Sequence, residues 1–367
     1  MKFKVGVKEL EETLRIVGSV VALSPVSPEY GCVQLVGKKS LVVRATDLVA
    51  FIEGSLDVEG TLGSEKVLVP LKPLLAFVQG ASGSLVVETT EKVVKLSGSG
   101  GRRAEVKTID DSNYTTWPAW KKLNEVGPSD DLIEAVKLVH PCASSVLVTP
   151  TLYNVHLGTV GQGLLVEAAD GYRYASQFLK LKGSVINVLV PLRSALKLVG
   201  MPPNQGYVMG VSDSLLGLQA DGYTFYSRLN TGNFPLVKPN LPTKFKVVVR
   251  LEREELLNLL NVAMAYSDEA YRTIEVSVSP ELVEVASSVE ATGSFRGRIK
   301  PKQGRGQSID ILLDAKSLSW FAEVSKGDVI LGFSGSLSPV VARDSERKEF
   351  VYALWPLVRK EQEKERE

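Results

Sequence analysis

The sequence has few of the residues from which metal and catalytic sites are most often built. Only two cysteines, Cys32 and Cys142, and two histidines, His140 and His156, occur among 367 residues. A tetrahedral zinc site needs more ligands than the one local cluster, His140-Pro141-Cys142, supplies. No metal or other cofactor is therefore expected. The cluster is typical of a helix end followed by a turn, because Pro141 stops the helix.

Long apolar runs and an excess of charge of one sign are also missing. No window approaches the ~20 consecutive apolar residues of a membrane span, and residues 1–5 lack the apolar core of a secretory signal. The sequence therefore predicts a cytoplasmic protein with reduced cysteines and no membrane partner. The net charge of +1 gives no global sign of nucleic-acid binding, but it remains compatible with a local basic surface.

The sequence does contain a threefold internal repeat. Leu68–Lys72 recurs as Leu189–Arg193, 121 residues later, and more weakly as Leu312–Lys316, another 123 residues later. Each copy follows a strand-like run and opens a short amphipathic segment. The residues that suit a helix N-terminus in these copies are Pro70, Pro191 and Asp314.

Each repeat starts with an amphipathic segment, and the three segments keep the same spacing along the chain. They are residues 7–21, 129–140 and 251–265. Apolar residues at helical spacing fall on one face of each segment. These residues are Leu10, Leu14, Val17 and Val21, then Leu132, Val136 and Val139, then Leu256, Leu260 and Ala263. An acidic residue also ends a strand-like run at this spacing in each repeat. These residues are Asp47, Asp170 and Glu290.

Short β-branched runs fill most of the remaining sequence. Residues 39–44, 84–88 and 92–96 are examples, and glycine-containing turns separate such runs. We therefore predict an α+β fold of three similar domains, each with two helices and antiparallel sheets. The predicted domains are 1–122, 123–243 and 244–367, the last ending in a charged tail that begins at Arg359.

Basic residues recur at equivalent helical positions. Lys72, Arg193 and Lys316 share a position on the second helix of each repeat, and Arg15 and Lys137 share one on the first. Exposed helices of many proteins carry such residues, so each one alone indicates little. If the helices face one way, these side chains form a basic track suited to DNA phosphates, which carry no sequence information.

Five short motifs occur in order along the chain: Met1-Lys2-Phe3, Ala45-Thr46-Asp47-Leu48, Ala168-Ala169-Asp170-Gly171-Tyr172-Arg173, Asn233-Phe234-Pro235 and Phe350-Val351-Tyr352-Ala353-Leu354-Trp355-Pro356-Leu357. This ordered set resembles the beta subunit of bacterial DNA polymerase III, a DNA sliding clamp. The resemblance spans nearly the whole chain. Ala169 and Tyr172 stand where the family has threonine and often histidine, so the chain is identified as a divergent member.

The resemblance implies the DNA-clamp fold, with six similar domains in a ring formed by a head-to-tail homodimer. It also implies a non-catalytic processivity factor in DNA replication, whose partners are double-stranded DNA, a DNA polymerase and a clamp loader. The implied dimer interface includes Ala104, Val106, Ala265 and Tyr266. The implied partner-peptide pocket includes Leu152, Gly171, Tyr172, Arg173, Pro235, Leu337, Pro339, Leu354, Trp355, Pro356 and Leu357.

Two other functions remain open at this point. An enzyme would have to use Asp47, Asp170 or the His140/Cys142 pair, but the sequence has no phosphate-binding loop, dinucleotide fingerprint or nucleophile elbow. A repeat scaffold that binds peptide motifs without encircling DNA would share the pocket. Its activity should survive charge reversal at Lys72, Arg193 and Lys316, whereas DNA retention by a clamp should not.

Overall fold

The computed structural model describes residues 1–22, 24–25, 27–146, 149–181, 185–203, 205–270 and 272–358, so the predicted charged tail lies outside it. The chain forms two compact units. The first comprises Met1–Val136 with Leu181–Thr231, and the second comprises Lys137–Lys180 with Gly232–Glu367. Among the described helices, none is both long and apolar enough to cross a membrane.

The helices begin and end close to the predicted positions. They are α1 (Val7–Gly18), α2 (Leu71–Gln79), α3 (Asp131–Val139), α4 (Leu192–Val199), α5 (Arg253–Ala265) and α6 (Ala315–Val324). Pro70 and Pro191 directly precede α2 and α4, and the Asp314 carboxylate caps α6 by accepting the Lys316 N–H at 2.9 Å. The predicted N-termini are therefore confirmed.

The apolar faces predicted for the first helix of each repeat are buried, except that Val21 lies beyond the end of α1 and is only half-buried. Leu14, Val139 and Leu260 are fully buried, and their neighbours one turn away are also in the core. Helix α1 packs closely on α2, because a Cβ added to Gly18 would lie 2.6 Å from a methyl carbon of Leu71. Burial of these faces is the main source of helix stability, since helices of this length are marginal alone.

The strands of the first unit, apart from residues Asn187–Pro191, form two antiparallel sheets. They are β1 (Lys2–Gly6), β2 (Cys32–Gly37), β3 (Leu41–Thr46), β4 (Ala50–Leu56), β5 (Glu59–Thr61), β6 (Lys66–Pro70), β7 (Ser84–Thr89), β8 (Val93–Ser97), β9 (Arg103–Lys107), β10 (Asn124–Pro128), β14 (Asn187–Pro191), β15 (Val208–Val211), β16 (Leu215–Gln219) and β17 (Tyr223–Arg228). One sheet has the order β5-β1-β7-β8-β9, and the other has the order β10-β15-β16-β17-β4-β3-β2-β6.

The second unit is also built on antiparallel strands. They are β11 (Asn154–Val160), β12 (Gly163–Ala169), β13 (Arg173–Lys180), β18 (Val247–Leu251), β19 (Thr273–Val278), β20 (Val283–Val289), β21 (Gly293–Ile299), β22 (Gln303–Gly306), β23 (Ile309–Asp314), β24 (Val329–Phe333), β25 (Val340–Asp344) and β26 (Phe350–Leu354). The larger sheet runs β11-β12-β13-β26-β25-β24-β18-β22, and the smaller runs β21-β20-β19-β23.

One backbone hydrogen bond occurs three times at equivalent places in the predicted repeats. In each case the residue three positions before the second helix accepts an N–H from a residue 41 to 45 positions later in the chain. The three pairs, each at 2.9 Å, are Ile109 to Leu68, Asn230 to Leu189 and Leu357 to Leu312. This recurrence supports the repeat, while the three domain limits stay a prediction.

Candidate functional site

A tight turn between β12 and β13 presents Tyr172 to solvent. Asp170 Oδ1 accepts the N–H groups of Tyr172 and Arg173 at 2.9 and 2.7 Å, which closes the turn. Gly171 adopts φ +95°, a conformation that favours glycine. The Tyr172 side chain is 71% exposed, so this turn offers an aromatic surface that the fold itself does not use.

The same carboxylate fixes the guanidinium of Arg173. Asp170 Oδ2 accepts from Nε at 2.8 Å and lies 2.7 Å from a terminal nitrogen of the same side chain. A two-point contact of this kind sets the orientation of the guanidinium plane. Arg173 is therefore held in one position at the start of β13.

Strands β26 and β25 bring further predicted pocket residues to this end of the sheet. Leu354 is the register partner of both Arg173 on β13 and Val340 on β25. The Trp355 N–H donates to the Tyr172 carbonyl at 2.9 Å, which places Trp355 beside the turn. The structure thus gathers Tyr172, Arg173, Leu354 and Trp355, with Pro339 preceding Val340.

Four further predicted residues lie in the loops that flank β11, β25 and β26. Leu337 is 49% exposed in the turn before β25, and Pro356 and Leu357 are half-buried after β26. Leu152 is half-buried, and its carbonyl accepts the Ser144 N–H at 2.9 Å. Membership of all these residues in one peptide pocket stays a prediction.

Pro235 belongs to a segment that is anchored on the opposite face of the sheet. The neighbouring ring of Phe234 stacks on His156, with centroids 5.0 Å apart and planes at 9°. His156 Nδ1 lies 2.8 Å from Glu167 Oε1, and the Tyr174 hydroxyl donates to Glu167 Oε2 at 2.5 Å. The register places Glu167 and Tyr174 on the face opposite to Arg173.

This buried network was not predicted from the sequence, although one signal was present. Glu167 interrupts the apolar run of β12, and a carboxylate with only 6% exposure needs bonding partners. Burial raises the pKa of Tyr174 above its usual range, and Glu167 adds to the effect. Tyr174 therefore stays protonated and serves as a donor that holds Glu167 in place.

The Cys142 environment is unsuited to nucleophilic or metal chemistry. Cys142 is fully buried in the turn that follows α3, and this burial raises the pKa of its thiol to about 12. A nucleophilic or ligating cysteine requires the thiolate, which is favoured by a lowered pKa. Within the ranges that the structure describes, no group of His, Cys, Asp and Glu is arranged to hold a metal ion.

Replacing Cys142 with alanine should reduce the alkaline loss of stability. The thiol ionises near pH 8.5 when unfolded but only near pH 12 when folded, so the unfolding free energy should fall as pH rises between these values. We expect this fall to be smaller in the variant by about 1 kcal/mol near pH 9.5. Denaturant unfolding at pH 7 and 9.5 measures it. An identical pH dependence in both proteins would contradict the buried-thiol assignment.

The predicted DNA-contacting residues are all exposed on helices. In the first unit, Arg15 lies on α1, Lys72 on α2 and Arg193 on α4, while Lys137 lies on α3 and Lys316 on α6. The α1 and α4 helices meet where Lys197 Nζ donates to the Ser19 carbonyl. Three of the predicted basic residues therefore lie on neighbouring helices of one unit.

The two arginines among these residues have carboxylate neighbours. An Arg15 guanidinium nitrogen lies 2.8 Å from Glu11 Oε1 on the same helix, and Arg193 Nε lies 4.0 Å from Asp47 Oδ2. Exposed pairs of this kind stabilise a fold by less than about 1 kcal/mol. Both arginines can therefore turn toward an external phosphate at little energetic cost.

The predicted dimer residues lie at two sheet edges. Ala104 and Val106 are on β9, the last strand of the five-stranded sheet. Ala265 ends α5, and the Tyr266 ring stacks on Phe295 with centroids 6.0 Å apart. Phe295 belongs to β21, the last strand of the smaller sheet in the second unit. Phe295 was not predicted from the sequence.

Comparison with solved structures identifies the fold. The DNA polymerase sliding clamp of Bacillus subtilis matches with a TM-score of 0.90 at 19% identity, covering 98% of this chain and 99% of that chain. The beta subunit from the DNA polymerase of Streptococcus pyogenes matches with a TM-score of 0.91 at 16% identity, covering 98% and 100%. The chain therefore has the sliding-clamp fold, and the predicted α+β class with antiparallel sheets is confirmed.

Curated relatives agree with this assignment. The chain is 22% identical over 380 residues to the Beta sliding clamp of Rickettsia felis, covering 97% of this chain and 99% of the relative. It is 24% identical over 297 residues to that of Vibrio cholerae, covering 78% and 81%. No family model matches. The resemblance recognised in the sequence is confirmed: the chain is a divergent relative of the bacterial beta sliding clamps.

Proposed function

We propose that this protein is a DNA sliding clamp, a processivity factor that encircles duplex DNA and tethers a replicative polymerase. The observation that carries this proposal is the agreement of the whole chain with solved DNA polymerase sliding clamps, at a TM-score of 0.90 over 98% of its length. Curated relatives named Beta sliding clamp cover nearly the same length. Chance similarity of one domain does not account for agreement over the full chain.

The mechanism is topological and needs no catalytic group. Two copies, with three similar domains each, form a head-to-tail ring of six domains around DNA. A closed ring cannot leave the duplex sideways, so weak phosphate contacts are sufficient. The exposed residues Arg15, Lys72, Lys137, Arg193 and Lys316 supply these contacts, which are independent of base sequence and permit sliding.

Partners bind the second unit at the end of its larger sheet. A short peptide with leucine and phenylalanine anchors fits a surface that combines the exposed Tyr172 and Leu337 with the half-buried Trp355. Arg173, oriented by Asp170, offers a fixed donor beside them. The DNA polymerase and the clamp loader take turns at this site, in the cytoplasm.

The first test is negative-stain electron microscopy of the purified protein, with its mass determined by light scattering on the same sample. We expect rings with a central hole at about twice the chain mass of 39.8 kDa, since three domains per chain close a six-domain ring as a dimer. Protein loaded on circular DNA should be released when the DNA is linearised. A compact monomer at every concentration would contradict the ring mechanism.

A further inference from the structure

The turn between β3 and β4 in the first unit has the same hydrogen bonds as the Asp170 turn in the second unit. Asp47 Oδ1 accepts the N–H groups of Val49 and Ala50, two and three positions later, at 3.0 and 2.7 Å. Asp170 Oδ1 accepts N–H groups at the same two offsets, at 2.9 and 2.7 Å. The first unit therefore contains a second copy of the turn on which the proposed peptide site is built.

The strand beside each turn is also equivalent. The Arg228 N–H donates to the Val49 carbonyl at 2.8 Å, and the Trp355 N–H donates to the Tyr172 carbonyl at 2.9 Å. Arg228 ends β17, which pairs with β4, and Trp355 follows β26, which pairs with β13. The backbone of the peptide site thus occurs twice in the chain, with an arginine in the first unit where the second unit has a tryptophan.

The exposed side chain of the first turn belongs to a residue with a strained backbone. Leu48 adopts φ +73° and is 40% exposed, whereas Gly171 has the equivalent position and adopts φ +95°. Left-handed backbone is unfavourable for leucine and is freely adopted by glycine. Residues held in such conformations cluster at binding sites. A strained leucine that stays exposed to solvent therefore indicates a contact with a partner.

Arg228 supplies a cation beside this leucine. It is exposed, and within the ranges that the structure describes no carboxylate pairs with it. Its guanidinium carbon lies 5.9 Å from the centroid of the Phe51 ring on β4, a distance at which the ring attracts the cation. The guanidinium is therefore held near the sheet and can still pair with an external carboxylate.

We propose that the surface formed by Leu48, Val49 and Arg228 binds an acidic segment of a protein partner. One apolar side chain of the segment packs against Leu48, and a carboxylate pairs with Arg228. Hydrogen bonds between arginine and a carboxylate are stronger than neutral ones. This docking surface lies wholly in the first unit, so it is separate from the peptide site of the second unit and does not depend on ring closure.

A peptide fits this surface better than the DNA backbone does. Phosphates would pair with Arg228 but would offer Leu48 no apolar contact. The residues that differ between the two turns set the type of peptide. Valine and arginine replace Tyr172 and Trp355, so the first unit offers a smaller apolar surface and a positive charge in place of two aromatic rings.

The first test is Leu48→Gly in the full chain, with fluorescence anisotropy of a labelled peptide in which glutamates flank a single leucine. Binding should weaken about fivefold or more, because the apolar contact is lost. The fold should be kept, since relief of strain offsets the larger entropy that glycine loses on folding. The thermal midpoint should therefore stay within about 3 °C of that of the unchanged chain.

The second variant tests the charge. Arg228→Glu should weaken binding of the acidic peptide about tenfold or more. A peptide with lysines in place of the glutamates should bind this variant better than it binds the unchanged chain. Lys38→Glu makes the same change of charge at an exposed turn between β2 and β3, and this control should bind the acidic peptide normally. Equal losses in both variants would overturn the inference.

The peptide with leucine and phenylalanine anchors separates this surface from the site in the second unit. An excess of it should not displace the acidic peptide, and its own affinity should be the same in both variants. Displacement would overturn the inference, as would normal binding of the acidic peptide by Leu48→Gly or no binding by the unchanged chain. Weaker binding of duplex DNA by Arg228→Glu, with acidic-peptide binding unchanged, would make Arg228 a phosphate contact instead. None of these results alters the test of the ring.

Discussion

A chain with both Trp355 and Leu337 replaced by alanine should lose peptide binding and keep its fold. Leu337 is 49% exposed and Trp355 is half-buried, so neither side chain is central to the core. The contact that positions Trp355 is its backbone N–H to the Tyr172 carbonyl, which alanine retains. Truncation therefore removes binding surface more than structure.

The expected loss of affinity is about 30-fold or more. Aromatic anchors at the centre of an interface commonly contribute about 2 kcal/mol or more each, and every 1.4 kcal/mol changes a dissociation constant tenfold. Fluorescence anisotropy of a labelled short peptide with leucine and phenylalanine anchors measures the change. The same peptide with both anchors replaced by alanine sets the baseline.

A matched control lies in the same unit. Val160 is 53% exposed at the end of β11, and Val160→Ala removes an exposed apolar side chain outside the proposed site. This variant should bind the peptide normally. If the Trp355/Leu337 double variant also binds normally, the peptide site lies elsewhere on the chain.

Local signals in the sequence predicted the helices and strands well. Pro70 and Pro191 mark helix starts because proline loses no hydrogen bond there, and Asp314 caps α6 through its own side chain. The equivalence of Asp47 and Asp170 also has a local cause. Asp47 Oδ1 accepts two N–H groups from the following turn, as Asp170 Oδ1 does.

Contacts distant in sequence could not be predicted in the same way. Glu167 meets His156 across a strand pair and Tyr174 across the next, and no spacing rule indicates which partners a buried carboxylate will find. Phe295 reaches Tyr266 only because β21 returns over the end of α5. The resemblance named the pocket residues, but the orientation of Arg173 by Asp170 required the structure.

The basic residues on the helices should control binding to duplex DNA. Reversing Lys72, Arg193 and Lys316 together to glutamate should abolish binding to duplex DNA at physiological salt. Each phosphate contact contributes a slope of about −0.9 to the dependence of log affinity on log salt. If these residues contact phosphates, the slope should become shallower by about 3 units even where residual binding is measurable at low salt.

The control must change net charge equally, because a more negative protein binds DNA less well wherever the charges lie. Lys38, Lys39 and Arg305 are exposed outside the helices, and reversing all three provides this match. Anisotropy of a labelled duplex across a salt series compares the two variants. Equal losses in both would mean that overall charge, not the basic helices, controls binding.

The same pair of variants separates a clamp from a peptide-binding scaffold. Both should retain the Leu–Phe peptide, since neither touches Trp355 or Tyr172. In a clamp, only reversal on the helices should abolish retention on circular DNA, because those helices face the duplex. In a scaffold, retention on circular DNA should equal retention on linear DNA for every variant. Peptide binding would then be the activity of the protein.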